Sequence, residues 1–298
     1  MKRTVGTYFA VACALAVSAA HAQNLGVSTA CGTAAGTRFN LEPRTNPLPQ
    51  NQTALDFLPG AASGGDLVVG VADDMRQLTS GSGTAPDYRG LFGLSSQTGF
   101  YVHRNGADAS PCTPDLEGGL GPLVNSADGN ALVGVGYAAV AADATSQTFF
   151  IVDTRVGEGE GSDSALGLFR TTAANLIDTS VCPYGTLSES QSAQCWPTAV
   201  LINVGSVFTG WNSSPHLAVD QRPASSAVGA SDVYVSATQF VNSNGIIVVT
   251  ACRNNLSACS TPVRVSGNDS GDLSHVAVRP DGGVTITYVV QSGGAGAL

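Results

Sequence analysis

Apolar and polar positions alternate along this chain in short runs, and the three-to-four spacing of an amphipathic helix is nearly missing. A strand-like run recurs three times, at Asp66-Leu67-Val68-Val69-Gly70-Val71, Thr148-Phe149-Phe150-Ile151-Val152 and Asp232-Val233-Tyr234-Val235-Ser236. Each is followed by an apolar run that ends in small or hydroxylated residues. These begin at Leu91, Leu166 and Ile246, offsets of 75 and then 80 residues. Repetition at such a period predicts one all-β unit used several times, because a lone unit cannot bury its apolar face and its neighbours must cover it.

The third unit is the clearest. Its four predicted strands lie at Pro215–Asp220, Asp232–Ser236, Ile246–Val249 and Pro262–Ser266. In the first unit, strand signals begin at Gln50. A Gly-rich turn at Gly60–Gly65 precedes a strand at Leu67–Ala72, and the polar stretch Ser80–Gly83 leads to the Leu91 strand. The second opens near Pro122, with Asp128-Gly129 as a tight hairpin turn before Ala131-Leu132-Val133. A fourth opens at His275–Val278 and continues through Val284–Val289. Only Tyr137–Ala144 has the composition for two helical turns; β-branched residues dominate elsewhere.

Residues 1–22 read as an export signal: Lys2 and Arg3, a short apolar core, and Ala20-His21-Ala22 before Gln23. Residues 23–49 lack periodicity and read as an extended segment, leaving 50–298 as the repeat domain. No later run reaches the roughly 18 apolar residues of a spanning helix. The expectation is therefore an exported protein, periplasmic or extracellular, with no membrane partner after cleavage. Charged residues are 12% of the chain, lysine is nearly absent and the formal charge is −9, which argues against a nucleic-acid partner. Cys31, Cys112, Cys182, Cys195, Cys252 and Cys259 remain after cleavage, an even set that suits disulfides in an exported chain. Short spacing favours Cys182 with Cys195 and Cys252 with Cys259, leaving Cys31 with Cys112, out of 15 formal connectivities. No C-x2-C spacing supports a metal centre.

Two segments carry a family resemblance. Pro49-Gln50-Asn51-Gln52-Thr53 with Ala72-Asp73-Asp74-Met75-Arg76, and the later series Trp211–Asp220, Asp232–Ala237, Ile246–Val249 and Thr261–Ser266, resemble blades of exported bacterial sialidase-like (BNR, Asp-box repeat) β-propeller proteins. The resemblance spans roughly Pro49 to Val290. It implies an all-β propeller of four-stranded blades, of which three and the start of a fourth are visible. The chain is then a fragment, or is completed by self-association. It implies a glycan-directed module related to glycoside hydrolases. The alternatives are a structural or protein-interaction propeller without a sugar ligand, and a fragment of an active exo-sialidase. The partner expected is a glycan or another exported protein. The acidic residue of the Asp-box turn is missing at Ser96–Phe100, Thr171–Asn175 and Ala251–Asn255, and disulfides are expected to brace those connections instead. The arginine motif F/Y-R-I-P is also missing, so no catalytic residue is assigned. If the chain is an enzyme, the resemblance makes it a sialidase-type glycoside hydrolase.

The candidate ligand residues are Asp74, Arg76, Asp153, Arg155 and Trp211. Asp74-Met75-Arg76 and Asp153-Thr154-Arg155 repeat acid-x-Arg 79 residues apart, at what read as the ends of equivalent strands. Side chains two apart share a strand face, so each pair either forks a polar ligand group or forms a structural salt bridge. Trp211 either stacks on a sugar ring or fills the seam between units. No cofactor is expected. Glu158, Glu160 and Asp163 offer oxygen ligands for calcium, although their spacing fits no known loop and favours a solvated acidic loop. Gly134-Val135-Gly136-Tyr137-Ala138-Ala139 matches a dinucleotide fingerprint without the βαβ context, and reads as small residues in a tightly packed strand.

Overall fold

The computed structural model describes residues 51–62, 65–74, 97–104, 114–157, 163–206, 210–223, 231–241, 244–267 and 269–290. The signal at 1–22, the segment 23–49, Arg76, the Leu91 run, Cys31, Cys112, Glu158 and Glu160 lie outside the described residues. What is described is mostly strand, arranged as four sheets that follow one another in a curl.

Sheet A is an antiparallel meander of β1 (Asn51–Ala62), β2 (Gly65–Asp74), β3 (Gln97–His103) and β4 (Leu116–Gly119). Sheet B holds β5 (Leu123–Val124), β6 (Ala131–Gly134), β7 (Ala139–Asp143), β8 (Thr148–Gly157) and β9 (Asp163–Thr172). After β9 the chain makes α1 (Ala173–Ile177), then β10 (Gly185–Thr186), which adds to β4 of sheet A in parallel, and α2 (Glu189–Cys195). It returns to sheet B as β11 (Thr198–Ser206). Sheet C is the meander β12 (Trp211–Val219), β13 (Val233–Val241), β14 (Asn244–Cys252) and β15 (Val263–Arg264). Sheet D pairs β16 (Gly271–Val278) with β17 (Val284–Val290).

β8 shows why the sheets stack in this order. Its ten residues are all buried, and successive side chains leave on opposite faces. Phe149 and Ile151 join Leu67, Val69, Phe100 and Leu116 of sheet A, with Trp196 meeting Phe100 edge to face at 5.7 Å. Phe150 and Val152 join Leu217, Val219, Val235 and Val248 of sheet C. An uninterrupted apolar strand is thus covered on both sides, the reverse of the one-sided alternation of a solvated sheet.

Sheets A, C and D each open in a strand with the same irregularity. Asn51 pairs with Asp73 but Ala54 with Val71; Ser213 pairs with Thr238 but His216 with Ser236; Asp272 pairs with Val289 but His275 with Thr287. One extra residue on the first strand is a β-bulge. In sheet B the interruption is longer and splits β6 from β7: Gly134 pairs with Arg155 and Ala139 with Val152. Tyr137, Ser214 and Leu273, two residues before the restored pairing, take left-handed φ values of 51°, 48° and 52°, a conformation uncommon for residues other than glycine. Successive first strands are neighbours: β1 packs on β7, β7 on β12, and β12 on β16.

Two expectations change. Ser96–Phe100 is not a turn; from Gln97 it is the third strand of sheet A, held between β2 and β4 with Phe100, Tyr101 and Val102 all buried. Tyr137–Ala144 is not helical; its small residues form β7 between sheets, and the helices lie instead in the β9–β11 connection. Both helices begin at side-chain caps, Thr172 for α1 and a Ser188–Gln191 capping box for α2.

The structure joins Cys182 to Cys195 and Cys252 to Cys259. Both bridges close the connection from a unit's third strand to its fourth, between β9 and β11 and between β14 and β15. Replacing Cys252 and Cys259 together by serine is expected to lower stability by about 2 kcal/mol, through release of loop-closure entropy in the unfolded chain. Urea denaturation of the double variant measures it.

Candidate functional site

The charged centre of the molecule is inside β8. Asp153 and Arg155 lie mid-strand, not at its end, and both are fully buried. Two residues apart, they share the face turned to sheet A, and the guanidinium grips the carboxylate with Nε on Oδ1 at 2.8 Å and Nη2 on Oδ2 at 2.9 Å. Nη1 donates to the Gly121 carbonyl at 2.7 Å and to the Leu132 carbonyl at 3.2 Å, and the group lies over the Phe169 ring, 4.7 Å from its centroid. Every guanidinium nitrogen is therefore engaged within the protein. Of the two readings, ligand fork or structural salt bridge, this geometry fits the salt bridge: the pair is closed on itself and on backbone.

Space for it comes from glycine. A Cβ at Gly134, the partner of Arg155, would lie 2.6 Å from Asp153 Oδ2 and 2.9 Å from Thr98 Oγ1. A Cβ at Gly167, opposite Asp153 on β9, would strike both charged groups, and one at Gly136 would strike the Asp73 carboxylate. Gly134 and Gly136 are the small residues of the fingerprint-like motif. Their role is to let acids and backbone approach closely.

Asp73 is the residue that sequence reasoning missed. Pairing across the bulges makes it, and not Arg76, the equivalent of Arg155: Asp73 faces Asn51 as Arg155 faces Gly134 and Thr238 faces Ser213. Its Oδ1 accepts from the Tyr137 backbone N–H at 3.0 Å, tying sheet A to the interrupted strand of sheet B. Burial pushes the Asp73 carboxyl up from 3.8 to about 6, the Tyr137 bond opposes that, and the charge of Asp153 adds to it. Thr238 makes the corresponding tie two units on, between sheets C and D, donating to Asp272 Oδ1 at 2.8 Å. A further acid-x-Arg pair stands at Asp220-Gln221-Arg222. Arg222 holds Asp220 through Nε and Nη2 and reaches the Asp281 carbonyl with Nη1 at 2.9 Å, so the Arg222 hydrogen bonds draw the Asp220 carboxyl below its usual range. The acid-x-Arg pattern of 153–155 thus recurs in the sequence at 220–222, again as an ion pair.

Beside the buried pair opens a cleft of about 310 Å³. Its walls are residues 119–122, Val133 with Gly134, and residues 187–189 at the start of α2. Arg155 holds the Gly121 carbonyl from beneath, and Gly118 lies against Ser192 of α2, so strand, loop and helix meet without intervening side chains. The cleft's polar groups are peptide units, the Ser188 hydroxyl and the Glu189 carboxylate.

The remaining candidates are dispersed. Trp211 is half-buried at the start of β12 and packs on Val135 and Val156, in the seam between sheets B and C. Asp74 ends β2 opposite Gln97. Asp163 starts β9 and accepts from Asn125 Nδ2 at 2.6 Å. Among the described residues no three His, Cys, Asp or Glu side chains converge as metal ligands, and no helix is long and apolar enough to cross a membrane. Comparison with protein-family models, curated proteins and solved structures finds no match to this chain.

Arg155→Met leaves Asp153 buried without its partner and is expected to cost about 3–5 kcal/mol, part of which returns in Asp153→Asn/Arg155→Met. Chemical denaturation of the two variants checks this. Asp73→Asn keeps an acceptor for Tyr137. A carboxyl raised in the folded state destabilises it when ionised, above about pH 6, and the penalty fades as pH falls from about 6 to 3.8. The variant is therefore expected to melt higher than the parent at pH 8, with the gain vanishing near pH 4 in thermal scans.

Proposed function

We propose that this chain is a glycan-directed binding module of the sialidase-like propeller type, exported and without hydrolytic activity as it stands. First strands packed in succession, three of them bulged and the fourth interrupted, suit β-meanders set side by side about one axis. The cleft beside Gly121 and Glu189 carries the binding reading. A wall of peptide groups, one hydroxyl and one carboxylate offers hydrogen bonds to a hydroxyl-rich ring, in a space of about 310 Å³. Hydrolysis of a glycoside by the usual route needs two carboxyl groups across the scissile bond. Among the described residues Glu189 is the single carboxylate in the cleft wall, and Asp153 is closed off by Arg155. Arg155 serves as a positioning residue for the Gly121 carbonyl.

A second reading, a protein-interaction propeller, is favoured by the apolar side chains left exposed on sheet D: Leu273, Val289 and Val290, each more than half accessible.

Glycan-array screening followed by calorimetry separates the readings. The glycan reading expects binding that Gly121→Trp abolishes by filling the cleft and Glu189→Ala weakens about tenfold, with no turnover of a fluorogenic sialoside. Binding to no glycan favours the interaction reading. Sialoside turnover lost on Glu189→Ala would instead support the fragment of an active sialidase.

A further inference from the structure

The seam between sheets C and D is built around two histidines. His216 and His275 occupy the same step of successive first strands, the position at which pairing resumes after the bulge. Their counterparts in the first two units are Ala54 and Ala139. The rings lie 4.3 Å apart, centroid to centroid, tilted by 47°. His216 Nδ1 accepts from the backbone N–H of Val276, the next residue on β16, at 3.4 Å. That bond fixes the tautomer: an Nδ1 that accepts carries no proton, so the ring is neutral with its hydrogen on Nε2.

We propose that His216 and His275 form a proton-operated latch that holds sheet D to sheet C when neutral and loosens it on acidification. Protonation of His216 turns Nδ1 into a donor facing another donor, and sets a positive ring against the His275 imidazole 4.3 Å away. His275 is the one ionisable side chain among the described residues that acts on the His216 ring. Among the described residues on the strands packed against β12 and β16, the charged and titratable groups besides His275 are Asp272, Tyr234, Asp143, Asp153, Arg155, Asp163, Arg170 and Tyr288. Asp272 is held by Thr238, Asp153 by Arg155 and Asp163 by Asn125. Asp143 takes bonds from Ser146 and Asn254 and lies near Arg170. Burial pushes the Tyr234 phenol above its ordinary value of 10, so it carries no charge in this range. Burial and the neighbouring His275 hold His216 below its ordinary value of 6.5. A base depressed in the folded state is neutral and costless above its unfolded value, so the latch is whole above about pH 6.5 and weakens as pH falls below it. A two-stranded sheet has little stability of its own, so sheet D is the element that responds.

The test is amide hydrogen exchange on the full chain between pH 7.5 and 5.0, corrected for intrinsic rates. Protection of Val276 and of residues 284–290 is expected to fall at least tenfold toward pH 5, while β8 stays protected. His216→Gln, neutral at every pH and still an acceptor, is expected to remove the fall. His275→Gln is expected to move its midpoint to higher pH. Flat protection in the wild type, or a tenfold fall retained in His216→Gln, overturns the proposal. If His216→Gln does not fold, NMR of the wild type decides: the Val276 amide must titrate with the His216 ring, and an amide that does not follow it overturns the proposal.

Discussion

A charge pair with no access to water constrains the middle of this molecule. Asp153 and Arg155 sit in a strand covered on both faces, where each charge alone would cost several kcal/mol of lost hydration. The pair is tolerable only with its donors satisfied, which enlists the carbonyls of Gly121 and Leu132. It is accommodated only where side chains are missing, which demands glycine at 134 and 167. The glycines weaken the strand they belong to, and β6 gives way to β7 across residues 135–138, where Tyr137 turns back to meet Asp73. Cleft wall, interrupted strand and tie between sheets A and B descend from one buried ion pair.

The same interruption sets the limits of what the chain discloses by inspection. Sheet C was legible because β12, β13 and β14 carry apolar, β-branched runs separated by polar stretches. Sheet A was less so. Leu91-Phe92-Gly93-Leu94 has the look of a strand, whereas Gln97-Thr98-Gly99 has the look of a turn and becomes strand only because β2 and β4 supply its partners. The alanines of β7 carry high helix propensity that packing between two sheets overrides. The pair at 153 and 155 was visible as a pattern, yet counting along the chain matched Arg155 to Arg76. Bulges and unequal loops break such counting, and pairing restores it to Asp73. Burial was not legible either, because acid-x-Arg reads alike on an open rim and in a closed core.

Differences among the units follow a gradient. Sheets A, B and C bury their neighbours' faces with aromatic and branched residues, while sheet D turns Gly271, Ser274 and Val276 inward, with the Gly271 carbonyl so near Gly245 that a Cβ there would strike it. Where the first two units place alanine after the bulge, the last two place histidine, opposite Ser236 and Thr287 instead of Val71 and Val152. Polarity at that step therefore rises along the chain.

The two cystine loops have a mechanical corollary. They enclose separations of 13 and 7 residues, so a chain drawn out by its ends would come up short by roughly 45 Å and 25 Å of contour at those points. Under tension the outer strands β11 and β15 would stay leashed to the strands before them. Sheets B and C would then peel from their inner edges first, and reducing agent would lengthen the fully stretched polymer by that missing slack.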